Sequence, residues 1–220
     1  MNELACDAIL FDLDGVLIDS SACIARNWKI WAEPHSIDVA AIMKVAHGVR
    51  SMETIQQVAP HLDAQAEAER LTALEVADTD GVIAMPGAHA LLSALPAHAW
   101  TIVTSGGAAL ARARLAAVGL PVPAQMVTAD DVAQGKPAPE PYLLGAQRLG
   151  IAPERLLVVE DAPAGIQAGR SAGIRVLGIA STHTRSELLE SGVTAVVDRL
   201  IDLCVCNAAD RYGFIVQMVQ

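Results

Sequence analysis

From residue 85 onward the chain alternates short apolar, β-rich runs with segments of helical spacing, and this alternation leaves few folds open. The runs at 99–104 ("AWTIVT"), 124–128, 156–160 ("LLVVE"), 175–179 ("RVLGI") and 195–198 have the length and composition of strands. Helical patterns at 108–118, 142–149 and 163–172 lie between them, each stopped by a glycine at 119, 150 or 173. Strands separated by helices in this way predict an α/β fold, a mostly parallel sheet with helices on both faces. An earlier apolar run, 8–12, reads as one more buried strand of that sheet.

The stretch from about 19 to 85 breaks the pattern. Ile24, Trp28 and Trp31 fall at helical spacing, as do Met52, Ile55 and Val58, with no convincing strand between them. It predicts a helical insertion after the first strand. The domain expectation is therefore a core of residues 1–17 and 85–220 and a helical unit of 18–84.

Charge narrows the partners. The formal net charge is −10, and neither part of the chain carries the basic footprint that nucleic acid or an anionic membrane surface requires. No apolar stretch has the length of a spanning helix, and the N-terminus lacks a signal-peptide pattern, so the expected compartment is the cytoplasm. The four cysteines, Cys6, Cys23, Cys204 and Cys206, have neither zinc spacing nor a secretory context and read as buried or inert thiols. No coiled coil or long apolar surface helix calls for a partner subunit, so a monomer is the default expectation.

Chemistry gathers where the apolar runs end. "AILFDLDGVLIDS" delivers Asp12 and Asp14 one residue apart just past a buried strand, where open α/β sheets bind their ligands. In extended backbone, residues i and i+2 share a side, so both carboxylates can face one site. An Asx-type turn at a strand end would also account for this pair taken alone. After "TIVT", Thr104 and Ser105 supply hydroxyls, and Gly106 and Gly107 leave amides open ahead of a helix start, a natural anion site. "GKPAPEPY" holds Lys136, the only lysine after residue 45, in a loop with three prolines. "LLVVED" ends a buried run in Glu160 and Asp161, which are costly there without compensation. Four carboxylates converging with oxygen ligands only suit Mg²⁺. The set suits phosphoryl transfer, which asks for positioning, charge neutralisation and an in-line nucleophile.

With these residues in place, the sequence resembles the haloacid dehalogenase superfamily of phosphohydrolases with a helical cap inserted after the first strand. "FDLDGVLIDS", Thr104 in "IVTSG", Lys136 in "GKPAPEPY" and "VVEDAPAGIQAG" resemble its four motifs in order. The resemblance implies that Asp12 attacks phosphorus and that Asp14 protonates the leaving alkoxide and then activates water. It implies that Thr104 and Lys136 hold the phosphoryl group. It also implies that Asp12, the Asp14 carbonyl and Asp161 bind Mg²⁺, with Glu160 either a direct ligand or a support to the ligands.

Within the superfamily the chain is similar to the branch acting on 2-deoxyglucose 6-phosphate, glycerol phosphates and related sugar phosphates, through "AHGVRS", "YLLGAQRLG" and "GFIVQ". The implied partner is a small phosphorylated metabolite, and His47, Gly48, Arg50 and Glu75 are the candidate specificity residues. His47 capping a helix and Arg50 pairing with Glu53 are the alternatives open for those two side chains. The runner-up activity is a hexose phosphate mutase resembling β-phosphoglucomutase. Such mutases look to a histidine twelve residues after the nucleophile, where this chain has Ile24. A non-catalytic phospho-signalling module is a distant alternative, since receiver domains order their acids and lysine differently.

Overall fold

The computed structural model describes residues 3–207 and 213–218. The chain opens with β1 (Glu3–Cys6), β2 (Ala8–Phe11) and the short β3 (Ile18–Asp19). Four helices follow, α1 (Ser21–Ala32), α2 (Val39–Ala46), α3 (Ser51–Val58) and α4 (Ala64–Ala77). Then come β4 (Ile83–Ala84), α5 (Ala88–Ala94), β5 (Trp100–Ile102), α6 (Ala108–Ala117) and α7 (Glu140–Leu149). The remainder is β6 (Leu156–Glu160), α8 (Pro163–Ser171), β7 (Arg175–Ile179), α9 (Arg185–Glu190), β8 (Ala195–Val197), β9 (Leu203–Asn207) and β10 (Phe214–Met218).

The fold is α/β around a five-stranded parallel sheet ordered β5-β2-β6-β7-β8. Every residue of β2 and β6 is buried, as an apolar strand covered on both faces must be. Strand order reverses at β2, which has the later strands β5 and β6 on either side, so the crevice beyond its carboxyl end is a ligand position by topology. Asp12 and Asp14 follow β2, Thr104 follows β5 and Glu160 ends β6.

Helices α1 to α4 enclose an apolar cluster of their own, with Trp28, Trp31, Ile42, Ile55 and Leu71 buried at its centre. Trp28 and Trp31, three positions apart on α1, meet edge to face with centroids 5.3 Å apart. The chain leaves and re-enters the core through β3 and β4, which pair antiparallel as Ile18↔Ala84 and Asp19↔Ile83. The two crossings thus form one ribbon.

Three differences from the sequence expectations have physical causes. The run 124–128 forms only a bridge between Val103 and Val127, because residues 124 and 125 lie in a turn and a short 3₁₀ helix starts at Ala129, which leaves too little extended chain for a ladder. An antiparallel sheet, β1-β10-β9, pairs the two ends of the chain, Glu3 opposite Gln217, where sparse apolar alternation gave little signal. Of the cysteines, Cys6 and Cys23 are buried, but Cys204 and Cys206 share the exposed side of β9. Among the described residues no helix is long and apolar enough to cross a membrane.

Candidate active site

Beyond the carboxyl ends of β2, β5 and β6 lies a cleft of about 140 Å³, walled on its far side by the helical insertion. Its core side carries Asp12, Asp14, Thr104, Ser105, Gly106 and Asp161, and its insertion side Trp28, His47, Gly48 and Glu75. The space suits a small metabolite rather than a polymer.

Asp12, Glu160 and Asp161 bring carboxylate oxygens within 4.8 Å of one another, all buried. Lys136, 1% exposed, donates from Nζ to Asp12 Oδ1 at 2.6 Å and to Glu160 Oε1 at 2.7 Å. Burial opposes its charge, but Asp12 and Glu160 outweigh that and hold the ammonium above the ordinary lysine range. Burial is also the main reason that Asp12 is pushed up to about 7 and Asp161 well above the usual carboxylate range, with Lys136 offsetting it only in part. Three carboxylates against one ammonium leave an excess of about two negative charges out of water, the charge of one divalent cation.

The donors also separate the three acids. Glu160 accepts from Lys136 and from the Tyr142 hydroxyl (2.8 Å) on Oε1, and from the amides of Asp161 (2.9 Å) and Ala162 (3.1 Å) on Oε2. Four donors fill the acceptor capacity of a carboxylate. Gly165 on α8 leaves the space this carboxylate occupies, since a Cβ there would overlap it. Among the described residues Asp161 accepts a side-chain bond only from Thr182, and Asp12 only from Lys136, so these two retain free oxygens for a cation. The oxygen-only donor set and the charge excess fit a hard divalent ion at Asp12 and Asp161, with Glu160 anchoring Lys136.

Asp14 stands differently. Its Oδ1 accepts from Ser20 Oγ at 2.5 Å and from Arg114 at 2.8 Å, and Arg114 also donates to Glu75 Oε1 at 2.9 Å. Glu75, expected as a hydroxyl contact, is therefore already held in a buried ion pair, although it still borders the cleft. Thr104 Oγ1 accepts from the Gly106 amide at 3.1 Å, and the Ala108 amide is taken by Asp130 at 2.8 Å. The amides expected to be open ahead of α6 are thus partly engaged.

His47 and Gly48 reach the cleft from the insertion, but Arg50 does not line it. Arg50 pairs with Glu53 and extends to the carbonyls of Val132 (3.3 Å) and Ala133 (3.2 Å), in the loop that leads to Lys136. His47 Nδ1–H donates to the Met43 carbonyl at 2.9 Å, burial holds the ring below the ordinary histidine range, and the ring meets that of His183 edge to face with centroids 5.7 Å apart. The Gly48 carbonyl accepts from Ser105 Oγ at 2.8 Å, joining insertion to core. Gly48 has φ +74°, and a Cβ there would lie 2.8 Å from that of Ala162.

The family model of haloacid dehalogenase-like hydrolases matches residues 6–173. This chain belongs to that family. Among curated proteins, this hydrolase is similar to hexitol phosphatase A of Escherichia coli strain K12, 43% identical over 181 residues that cover 80% of this chain and 84% of that one. It is also similar to glycerol-1-phosphate phosphohydrolase 2 of Saccharomyces cerevisiae, 36% identical over 89% of this chain and 83% of that one. A solved hydrolase from Pseudomonas syringae superposes with a TM-score of 0.79 at 29% identity, covering 89% of this chain and 94% of that one.

Sequence reasoning did not find Arg114, Tyr142 or Thr182. Arg114 lies in a run of alternating alanines and arginines whose helical face gives no sign that one arginine is buried. Tyr142 stands inside a quoted motif, and its burial shows only once Glu160 is placed.

Proposed function

We propose that this hydrolase is a Mg²⁺-dependent phosphatase of small sugar or polyol phosphates, acting through a phosphoryl group carried on Asp12. The observation that carries the reading is the buried set of Asp12, Asp161 and Lys136, in which Asp12 and Asp161 line a metabolite-sized cleft and the ammonium of Lys136 is fixed against Asp12 behind it. The names of its relatives, a hexitol phosphatase and a glycerol-1-phosphate phosphohydrolase, support the substrate class.

Asp12 and Asp161 would hold the ion, together with the Asp14 carbonyl. When bound, the metal neutralises charge on the phosphoryl oxygens and keeps Asp12 ionised. Asp12 attacks phosphorus as the ester P–O bond breaks, and Asp14 gives a proton to the departing oxygen. Water then adds to phosphorus with its proton passing to Asp14, and Asp12 is released. Lys136 and Thr104 steady the phosphoryl group. Residues 18–84 serve as the cap that closes over the substrate, turning on the β3–β4 ribbon and excluding bulk water.

The test is phosphate release by the purified protein from hexitol phosphates, glycerol 1-phosphate and glucose 1-phosphate with Mg²⁺. Release of inorganic phosphate from the polyol esters supports the reading. Interconversion of glucose phosphate isomers without release would replace it with a mutase.

A further inference from the structure

Arg114 is 2% exposed near the end of α6, yet it touches two acids from different parts of the fold. One terminal nitrogen donates to Asp14, which follows β2, and the other to Glu75, on α4 of the insertion. Burial works against the guanidinium charge, but Asp14 and Glu75 outweigh it and raise the group above its ordinary range. Its Nε has no hydrogen-bond partner among the described residues.

The effect falls on one oxygen of Asp14. Ser20 and Arg114 both donate to Oδ1, and no described residue hydrogen-bonds Oδ2. Two donors on a single oxygen fix the plane of the carboxyl group and leave Oδ2 as the oxygen able to exchange a proton in the cleft that Asp14 borders.

We propose that Arg114 is a positioning residue that fixes Asp14 for proton transfer and takes its own position from Glu75 when α4 packs against α6. The proposal rests on the reading of Asp14 as the group that protonates the leaving oxygen. As Asp12 bonds to phosphorus, the ester electron pair moves to the leaving oxygen and the proton on Asp14 Oδ2 joins it. Arg114 keeps its proton throughout. Closing the insertion thereby completes the acid as well as covering the substrate. Lysine cannot replace the arginine in full, because a single nitrogen does not span both acceptors in the fork that the guanidinium provides.

The experiment compares kcat/KM for glycerol 1-phosphate, whose alkoxide must be protonated, with p-nitrophenyl phosphate, whose phenolate departs without a proton. The variants are Arg114→Met, Arg114→Lys, and Arg114→Met combined with Glu75→Leu, which removes the buried Glu75 carboxylate that the single change would leave without its ion partner and so keeps the test open if that change fails to fold. Expected is a loss of about 10²-fold on glycerol 1-phosphate against a loss several-fold smaller on p-nitrophenyl phosphate, with partial recovery in Arg114→Lys. Equal losses on both esters in a folded variant, or no loss on either, would overturn the proposal. A wild-type protein that hydrolyses neither ester would overturn the phosphatase reading itself and this proposal with it.

Discussion

Lys136 Nζ lies 2.6 Å from Asp12 Oδ1 across a separation of 124 residues, with both side chains out of water. Asp12 has this ammonium as its ion partner, whereas Lys136 keeps Glu160 if Asp12 is lost, so the loss of each has opposite consequences. Lys136→Met leaves three buried acids without their cation and is expected to cost about 3–5 kcal/mol, a fall of about 10 °C in Tm. Asp12→Asn removes one of those acids, so its Tm in metal-free buffer should stay level or rise while kcat falls by about 10³-fold or more. Thermal unfolding and turnover of the two variants check this. A joint loss of stability and activity in Asp12→Asn would make Asp12 a structural residue.

Metal binding should register in stability without any substrate. A divalent ion that relieves the charge excess binds the folded state alone, and at about 100 times its Kd contributes about 2.7 kcal/mol. Mg²⁺ is expected to raise Tm by several degrees and EDTA to reverse it, with Asp161→Asn abolishing the shift. Differential scanning fluorimetry reads the result, and an unchanged Tm in wild type at millimolar Mg²⁺ counts against the site.

Arg50 contacts the loop before Lys136 instead of the cleft, and this decides how its loss should look. Arg50→Ala removes bonds to the Val132 and Ala133 carbonyls, worth about 1 kcal/mol each, so at most about 30-fold in kcat/KM is at stake. Because the loop serves every phosphate ester, glycerol 1-phosphate and p-nitrophenyl phosphate should suffer alike. A loss confined to the polyol ester would make Arg50 a direct contact of the leaving group.

How much of this was readable beforehand follows from where each signal sits. Asp12, Asp14, Glu160 and Asp161 were visible because acids ending an apolar run are anomalous without a purpose. Lys136 stood out by rarity. The bond from Arg114 to Asp14 spans 100 residues and that to Glu75 spans 39, so no local pattern could announce it. Arg50 and Glu75 were visible as residues, and the pairing of Arg50 with Glu53 was legible from their spacing, but the contacts of Arg50 with the 132–133 carbonyls and of Glu75 with Arg114 were not. Both face neighbours that only the packing of insertion on core supplies. The sheet of β1, β9 and β10 was missed for a similar reason, since its pairing joins opposite ends of the chain.

The cysteines give a check on the fold that is independent of activity. Burial, the largest influence on Cys6, pushes its thiol up to about 12, so at pH 8 it is protonated as well as enclosed. Cys23 is buried with a raised pKa for the same leading reason. Cys204 and Cys206 are exposed. Titration of the native protein with a thiol reagent should modify these two, leaving Cys6 and Cys23 until denaturant is added. Peptide mapping that finds Cys6 labelled in the native state would contradict the packing of β1.

The most direct measurement is a search for the covalent intermediate. Wild-type protein, Mg²⁺ and a polyol phosphate are mixed, quenched in acid within the first turnover, and digested for mass spectrometry. The expected result is a phosphoryl group on Asp12, absent from Asp12→Asn, which also fails to turn over. Steady phosphate release by Asp12→Asn, or a phosphoryl group found on another residue in its place, would contradict the central claim.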